Sequence, residues 1–203
     1  MHPVSGFRLE RREWLRVIDA FLRYETIRSV HRECNLAYAT AQKAVSVIRI
    51  VMTHDVPLLL SGVCEADETY VGGSWKNKAV RVWLVPDTKN RSLIPHIQEV
   101  VCRGSTIHTD GRTGYRRLPR YGYLHQWVDH DAGEYVRGAV HTQTLDGYWG
   151  LLKTHLDSIG GIRKDRLRYF IGEHVWRYNF RHLFRKEQSR RLYMLLTEFG
   201  GRS

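Results

Sequence analysis

Between Val63 and Val128 the chain keeps changing its hydrophobic period, and this limits the folds open to it. Val63–Val71 alternates apolar and polar residues and ends at glycines. Ala79–Val85 reads as a second strand, stopped by Pro86-Asp87. Ser92–Val101 carries Leu93, Ile94, Ile97, Val100 and Val101 at helical spacing. Thr106–Thr109 is a third strand, Thr113–Leu118 a short helix and Tyr123–Val128 a fourth strand. Strands interleaved with helices predict an α/β layer, a sheet covered by helices. The flanks are helical. Trp14, Val17, Ile18, Phe21 and Leu22 share one stripe, Thr26–Glu33 forms a second segment, and Ala37–Met52 a third with Ala41, Ala44, Val45, Ile48 and Val51 on one side. From Thr144 the chain is again helical, broken at Gly160-Gly161 and resuming from Asp165 to about Leu196.

Three aspartates stand at notable places in this pattern. Asp67 lies in the first strand, Asp110 closes the third, and Asp146 opens the helical stretch Leu145–Lys153. Two strand-end aspartates and a helix-borne carboxylate can hold two divalent ions about 4 Å apart, an arrangement suited to in-line attack on phosphodiesters. Carboxylate oxygens are hard donors and select Mg²⁺ or Mn²⁺ over zinc. Each aspartate alone also reads as a turn or cap residue, and Asp110-Gly111 is an ordinary turn signal. Lys153 follows Asp146 by seven residues, nearly two helical turns, so both project from one helix face. There Lys153 offers a point charge to a phosphate, or is simply an exposed lysine. Trp149 is read as a packing residue. His141 is a lesser candidate through its closeness to Asp146, whereas His108, His125 and His130 lack a zinc spacing.

Charge supports a polyanionic partner. The net charge is +11. Residues 1–53 hold 9 Lys/Arg against 5 Asp/Glu, residues 54–136 hold 10 of each, and residues 137–203 hold 13 against 6. Basic flanks around a neutral middle suit a nucleic acid gripped on both sides of the acids. Helix, short turn at Asn35, helix is the helix-turn-helix pattern, with Tyr38, Thr40, Gln42, Lys43 and Arg49 as DNA-facing candidates. A small helical cap on the main domain is the alternative. Arg166, Arg177 and Arg181, spaced among the aromatics of the last helical stretch, are candidates for the DNA backbone or for a solvated basic face. No apolar run reaches the length of a membrane span, Met1–Glu10 lacks an apolar leader segment, and the separated Cys34, Cys64 and Cys102 form neither a disulfide framework nor a C-x-x-C site. These features read as a reduced, cytoplasmic protein.

The motifs resemble insertion-sequence transposases with an ISXO-type DDE domain. Asp67-Glu68-Thr69-Tyr70-Val71-Gly72-Gly73 is similar to that family's first-aspartate strand. Gly104–Gly111 with Tyr115 resembles the second block, and His141–Trp149 through Lys153 the third. Arg168-Tyr169 through Glu173, then Arg177-Tyr178-Asn179, is similar to the closing helix, and Trp14–Met52 to the helix-turn-helix. The resemblance implies an RNase H-like mixed sheet flanked by helices, two Mg²⁺ or Mn²⁺ ions, and cutting and rejoining of DNA at transposon ends. It implies Asp67, Asp110 and Asp146 as the acidic triad and Lys153 near the terminal phosphate. The organisation then expected is a helix-turn-helix DNA-binding segment over 1–53 and a catalytic domain over 54–203. The protein would be nucleoid-associated, and homo-oligomeric on DNA.

The chain departs from the family pattern in three ways. The third acid is usually Glu, so Asp146 is one methylene shorter, with Gln143 a nearby polar substitute. The N-terminal zinc ribbon of longer members has no counterpart. The stretch from Gly73 to Val80 is short for the further sheet strand expected there, which implies a shortened domain. A metal-dependent nuclease of the same fold, and a DNA-binding protein without catalysis, are the rival functions.

Overall fold

A computed structural model describes residues 9–24, 26–56, 59–67, 70–73, 79–129, 133, 136–138, 140–141 and 143–201. In chain order the elements are α1 (Arg11–Tyr24), α2 (Ile27–Cys34), α3 (Tyr38–His54), β1 (Val63–Asp67), β2 (Tyr70–Gly73), β3 (Ala79–Val82), α4 (Asn90–Val100), β4 (Thr106–Thr109), β5 (Leu124–Trp127), β6 (Val136–Arg137), β7 (Val140–His141), α5 (Gln143–Ile159), α6 (Lys164–Asn179) and α7 (Arg185–Gly201). Two short 3-10 turns, Thr113–Tyr115 and Leu118–Tyr121, stand in place of the one helix that spacing predicts. The chain divides into two compact units, Met1–Asp55 with Phe180–Ser203, and Val56–Asn179. The sequence pattern predicts a boundary after residue 53 with everything beyond it together. Packing instead groups the last helix with the first three.

In the first unit α1 packs on α2, α3 and α7. Its stripe of Trp14, Val17, Ile18 and Phe21 is buried, facing a core that includes Ala41, Ala44, Val45 and Ile48 of α3. Thr26 caps α2 by accepting the Ser29 amide at 3.1 Å. Asn35 ends it in the left-handed conformation (φ 53°, ψ 45°), as the asparagine at that turn predicts. Asp55, just past α3, is buried and accepts two 2.6 Å hydrogen bonds from Arg191 of α7.

The expected unbroken helix from Asp165 onward is two helices. The Gln188 side-chain amide donates to the carbonyls of Phe180 and Leu183, satisfying groups that a continuing helix would have used. Glu187 accepts the Phe184 amide at 2.9 Å, the reciprocal half of a capping box that starts α7.

The second unit holds a five-stranded sheet in the order β3-β2-β1-β4-β5. β1 is antiparallel to β2, and β2 to β3. β1 is parallel to β4, and β4 to β5. The predicted strand Val63–Val71 is thus a hairpin of two strands, because period-two alternation runs through both arms. This corrects the expectation of a missing strand: the first run supplies β1 and β2, and Ala79–Val82 supplies β3.

Adjacent β3 residues show the two faces. Ala79 packs with Cys64, Ala66, Ile107 and the α4 side chains Leu93, Ile94 and Ile97. Val80 packs with Tyr148 and Leu152 of α5 and Ile171 and Val175 of α6. Full burial of such side chains stabilises by about 1.5–3 kcal/mol each.

β3 is an edge strand, and its outward backbone groups are closed by a side chain. Asn179, buried at the end of α6, accepts the Val80 amide at 2.7 Å and donates to the Val80 carbonyl at 3.0 Å. The amide takes the place of a neighbouring strand and blocks pairing with another chain.

Candidate active site

The register of the parallel pair β1/β4 sets two of the three aspartate positions. Val63 is level with Thr106, Cys64 with Ile107 and Glu65 with His108. Two steps on, Asp67 ends β1 and Asp110 follows β4, so both occupy the same level at the carboxyl ends of neighbouring strands, which lie about 4.8 Å apart. Both positions have the parity of Glu65 and His108, opposite to Cys64, Ala66 and Ile107, which build the α4 core. Asp146 lies in the first turn of α5, and α5 packs on β1. The topology therefore brings all three aspartate-bearing elements together at one side of the sheet.

Asp110 is held in a tight local network. Its carboxylate pairs with the Arg112 Nε at 2.9 Å and accepts the Arg112 amide at 3.2 Å. The side chain is 11% exposed, while that of Arg112 is 62% exposed. Before it, fully buried Thr109 accepts the Gly111 amide at 3.1 Å and meets the His125 Nε2 at 3.0 Å. Burial lowers the His125 pKa and favours the neutral ring. Gly111 takes φ +82°, and a Cβ there would stand 2.7 Å from Trp127 Cδ1, so the turn after Asp110 demands glycine. Trp127, level with Thr109 on β5, is 47% exposed.

Asp67 and Asp146 are described by backbone position; their side chains, and those of His141 and Gln143, fall outside the described residues, as do His130, Glu68 and Thr69. Among the described residues no group of three or more His, Cys, Asp or Glu side chains stands ready to hold a metal ion. His108 is buried beside Gln126 at 3.2 Å, a structural role. Burial pushes the Cys64 thiol up to about 12, which removes it from nucleophilic chemistry.

The basic candidates separate by environment. Lys153 is exposed on α5 and Arg166 on α6. Arg177 is not a surface contact: it is 16% exposed and pairs at 2.9 Å with Glu173, whose side chain is 1% exposed. A buried carboxylate needs that partner, which is why the residue turns inward. Arg49 is likewise corrected, being 9% exposed with its guanidinium 5.3 Å from the centre of the Phe21 ring. Tyr38, Gln42 and Lys43 are exposed and Thr40 half-buried on α3. Arg181 is exposed in the first unit, whereas Lys153 and Arg166 belong to the second. Trp149 packs against the α5/α6 core, as expected.

Sequence reasoning missed a cluster between α5 and α6. Tyr148 is buried in the α5/α6 core and its hydroxyl meets the His174 Nδ1 at 3.0 Å, with the His155 ring centre 5.0 Å from that of His174. The spacing of Tyr148, Leu152 and His155 along α5 was its one signal.

The ISXO2-like transposase domain family matches residues 74–179. This chain belongs to that family. The match ends at Asn179, where the second unit ends, and contains Asp110, Asp146 and Lys153 but not Asp67. The chain is 26% identical to an uncharacterized protein in the transposable element ISH50 of Halobacterium salinarum, over 86% of this chain and 71% of that one. It is also 26% identical to an uncharacterized transposase-like protein of Haemophilus influenzae, over 47% of this chain and 77% of that one. No solved structure matches. Among the described residues, no helix is long and apolar enough to cross a membrane.

Proposed function

We propose that this chain is an insertion-sequence transposase of the DDE type, cutting DNA at element ends and joining the freed 3′-hydroxyl to target DNA. The observation that carries this reading is the common level of Asp67 and Asp110 at the ends of paired parallel strands, with the helix bearing Asp146 packed on the first of them. The strand order β3-β2-β1-β4-β5 with antiparallel β2 supports an RNase H-like sheet. The three helices α1–α3, with a tight turn at Asn35, support a helix-turn-helix whose exposed Tyr38, Gln42 and Lys43 face DNA.

The donor set fits a hard divalent cation, because aspartates would supply carboxylate oxygen alone; the exposed Arg112 that now pairs with Asp110 would have to yield that carboxylate to the ion. Asp67, Asp110 and Asp146 are the residues that would hold Mg²⁺ or Mn²⁺. Two such ions, when bound, would supply charge stabilisation at the phosphoryl oxygens and a more acidic water or 3′-hydroxyl. Lys153, exposed about two turns beyond Asp146, offers its ammonium to the terminal phosphate. Arg112 is placed to exchange Asp110 for a phosphate oxygen of the substrate.

The test is strand transfer by the full chain on DNA carrying the element's own termini, with Mg²⁺. Wild type should yield joined products. Asp110→Asn should lower their formation at least a thousandfold while end binding persists. Hydrolysis without joining by wild type, or equal joining by the variant, would overturn the assignment.

A further inference from the structure

A hollow of about 940 Å³ in the first unit lies between α1 and α7, far in sequence from the acidic residues. Four cations line it: Arg11 from α1 and Arg185, Lys186 and Arg190 from α7. Its single acid, Asp19, is already committed, meeting Arg185 at 2.9 Å and Arg23 at 2.5 Å. With Arg185 paired to Asp19, the described lining of the hollow still carries net positive charge from Arg11, Lys186 and Arg190. Its unit is the more basic one, with 15 Lys/Arg against 8 Asp/Glu.

Two further features give it chemical character. Phe184, at the mouth of α7, is 81% exposed, more than any other large apolar side chain described. Its position is fixed by the Glu187 cap on its amide. An exposed ring is by itself ordinary; beside a cationic groove it offers a flat face on which a base can stack. Ser189 also lines the hollow, is 7% exposed, and its hydroxyl has no hydrogen-bond partner among the described residues. A ligand oxygen would complete it after a rotation about one bond. Lys186 and Arg190 are one turn apart and so share a helix face.

We propose that this groove binds an unpaired stretch of nucleic acid, with Lys186 and Arg190 on its phosphates and Phe184 stacked on a base. A cationic channel tracking the backbone, with an aromatic ring facing the bases, is the recurring chemistry of single-strand binding. A duplex hides its base faces and leaves Phe184 uncovered. The groove shares no residue with the acidic site and stands or falls separately from it.

The experiment measures binding of the full chain to a fluorescent oligo(dT) of about 12 nucleotides in EDTA, across a salt series. Phe184→Ala should weaken binding about five- to a hundredfold, and Phe184→Tyr should restore it. Lys186→Gln with Arg190→Gln should reduce the slope of log affinity against log salt by about 1.4, because two phosphates are no longer neutralised. All these residues are exposed, so unchanged melting midpoints check the fold, and the Tyr variant serves where the Ala variant unfolds. Wild-type binding in every variant, no binding by wild type, or a duplex of equal length bound as tightly would each overturn the assignment. So would displacement of the oligonucleotide by poly-glutamate at equal charge concentration. Because no divalent ion is present, a failure of strand transfer leaves this result unaffected.

Discussion

Acid should weaken the α5/α6 packing through His174. Its ring lies among Tyr148, His155, Glu173 and Arg177. Burial, reinforced by the nearby His155 ring, lowers its pKa from 6.5 to about 4. The sign follows from linkage. In the unfolded chain His174 takes a proton near pH 6.5, whereas in the folded protein it stays neutral until about pH 4. Stability from this residue is complete above pH 6.5 and is lost as pH falls from there towards 4. Of that interval, the part traversed by pH 4.5 corresponds to roughly 2.5 kcal/mol. The ring is partly accessible to solvent, and a screening discount leaves about 1–2 kcal/mol. Urea unfolding of wild type and His174→Gln at about pH 7 and about pH 4.5 isolates it, since the carboxylates common to both proteins cancel. Wild type should lose about 1–2 kcal/mol more than the variant between the two pH values. Equal losses would refute the claim that burial holds this ring neutral.

The edge clamp on β3 makes a second prediction. Asn179→Leu should cost about 2–4 kcal/mol by leaving the Val80 amide and carbonyl unpaired, read as a lower urea midpoint together with faster exchange of the Val80 amide. In the first unit, Arg191→Ala removes the two 2.6 Å hydrogen bonds that Arg191 gives the buried Asp55 carboxylate and should cost about 2–4 kcal/mol. Asp55→Asn leaves only a half-exposed guanidinium without its charge and should cost less, a ranking that thermal melts would settle.

How far the sequence reached is clearest at β1 and β2. Alternation through Val63–Val71 established that this run is extended, but period two is the same in one long strand and in a tight hairpin. Only pairing between Cys64 and Gly73 and between Asp67 and Tyr70 shows the reversal, and with it the strand that had looked absent. Similarly, helical periodicity continued across residues 180–184. The break depends on Gln188 and Glu187 reaching back to backbone groups, a local competition that apolar spacing does not record.

For the site, residue type and order were enough to single out Asp67, Asp110 and Asp146, because carboxylates at strand ends and helix starts are visible as local pattern. The common level of Asp67 and Asp110 required the parallel register of β1 with β4, a pairing between segments about forty residues apart in sequence. Arg49 and Arg177 show the opposite limit. A basic residue on a helix looks solvent-facing in sequence, yet Phe21 and Glu173 draw these two inward. The sequence by itself determined the α/β class, the helical flanks, the turn at Asn35 and the acidic candidates, all of which follow from short-range spacing and side-chain chemistry. Tertiary structure alone decided the hairpin, the union of α7 with the first three helices and the Asn179 clamp, because each depends on which distant surfaces bury one another.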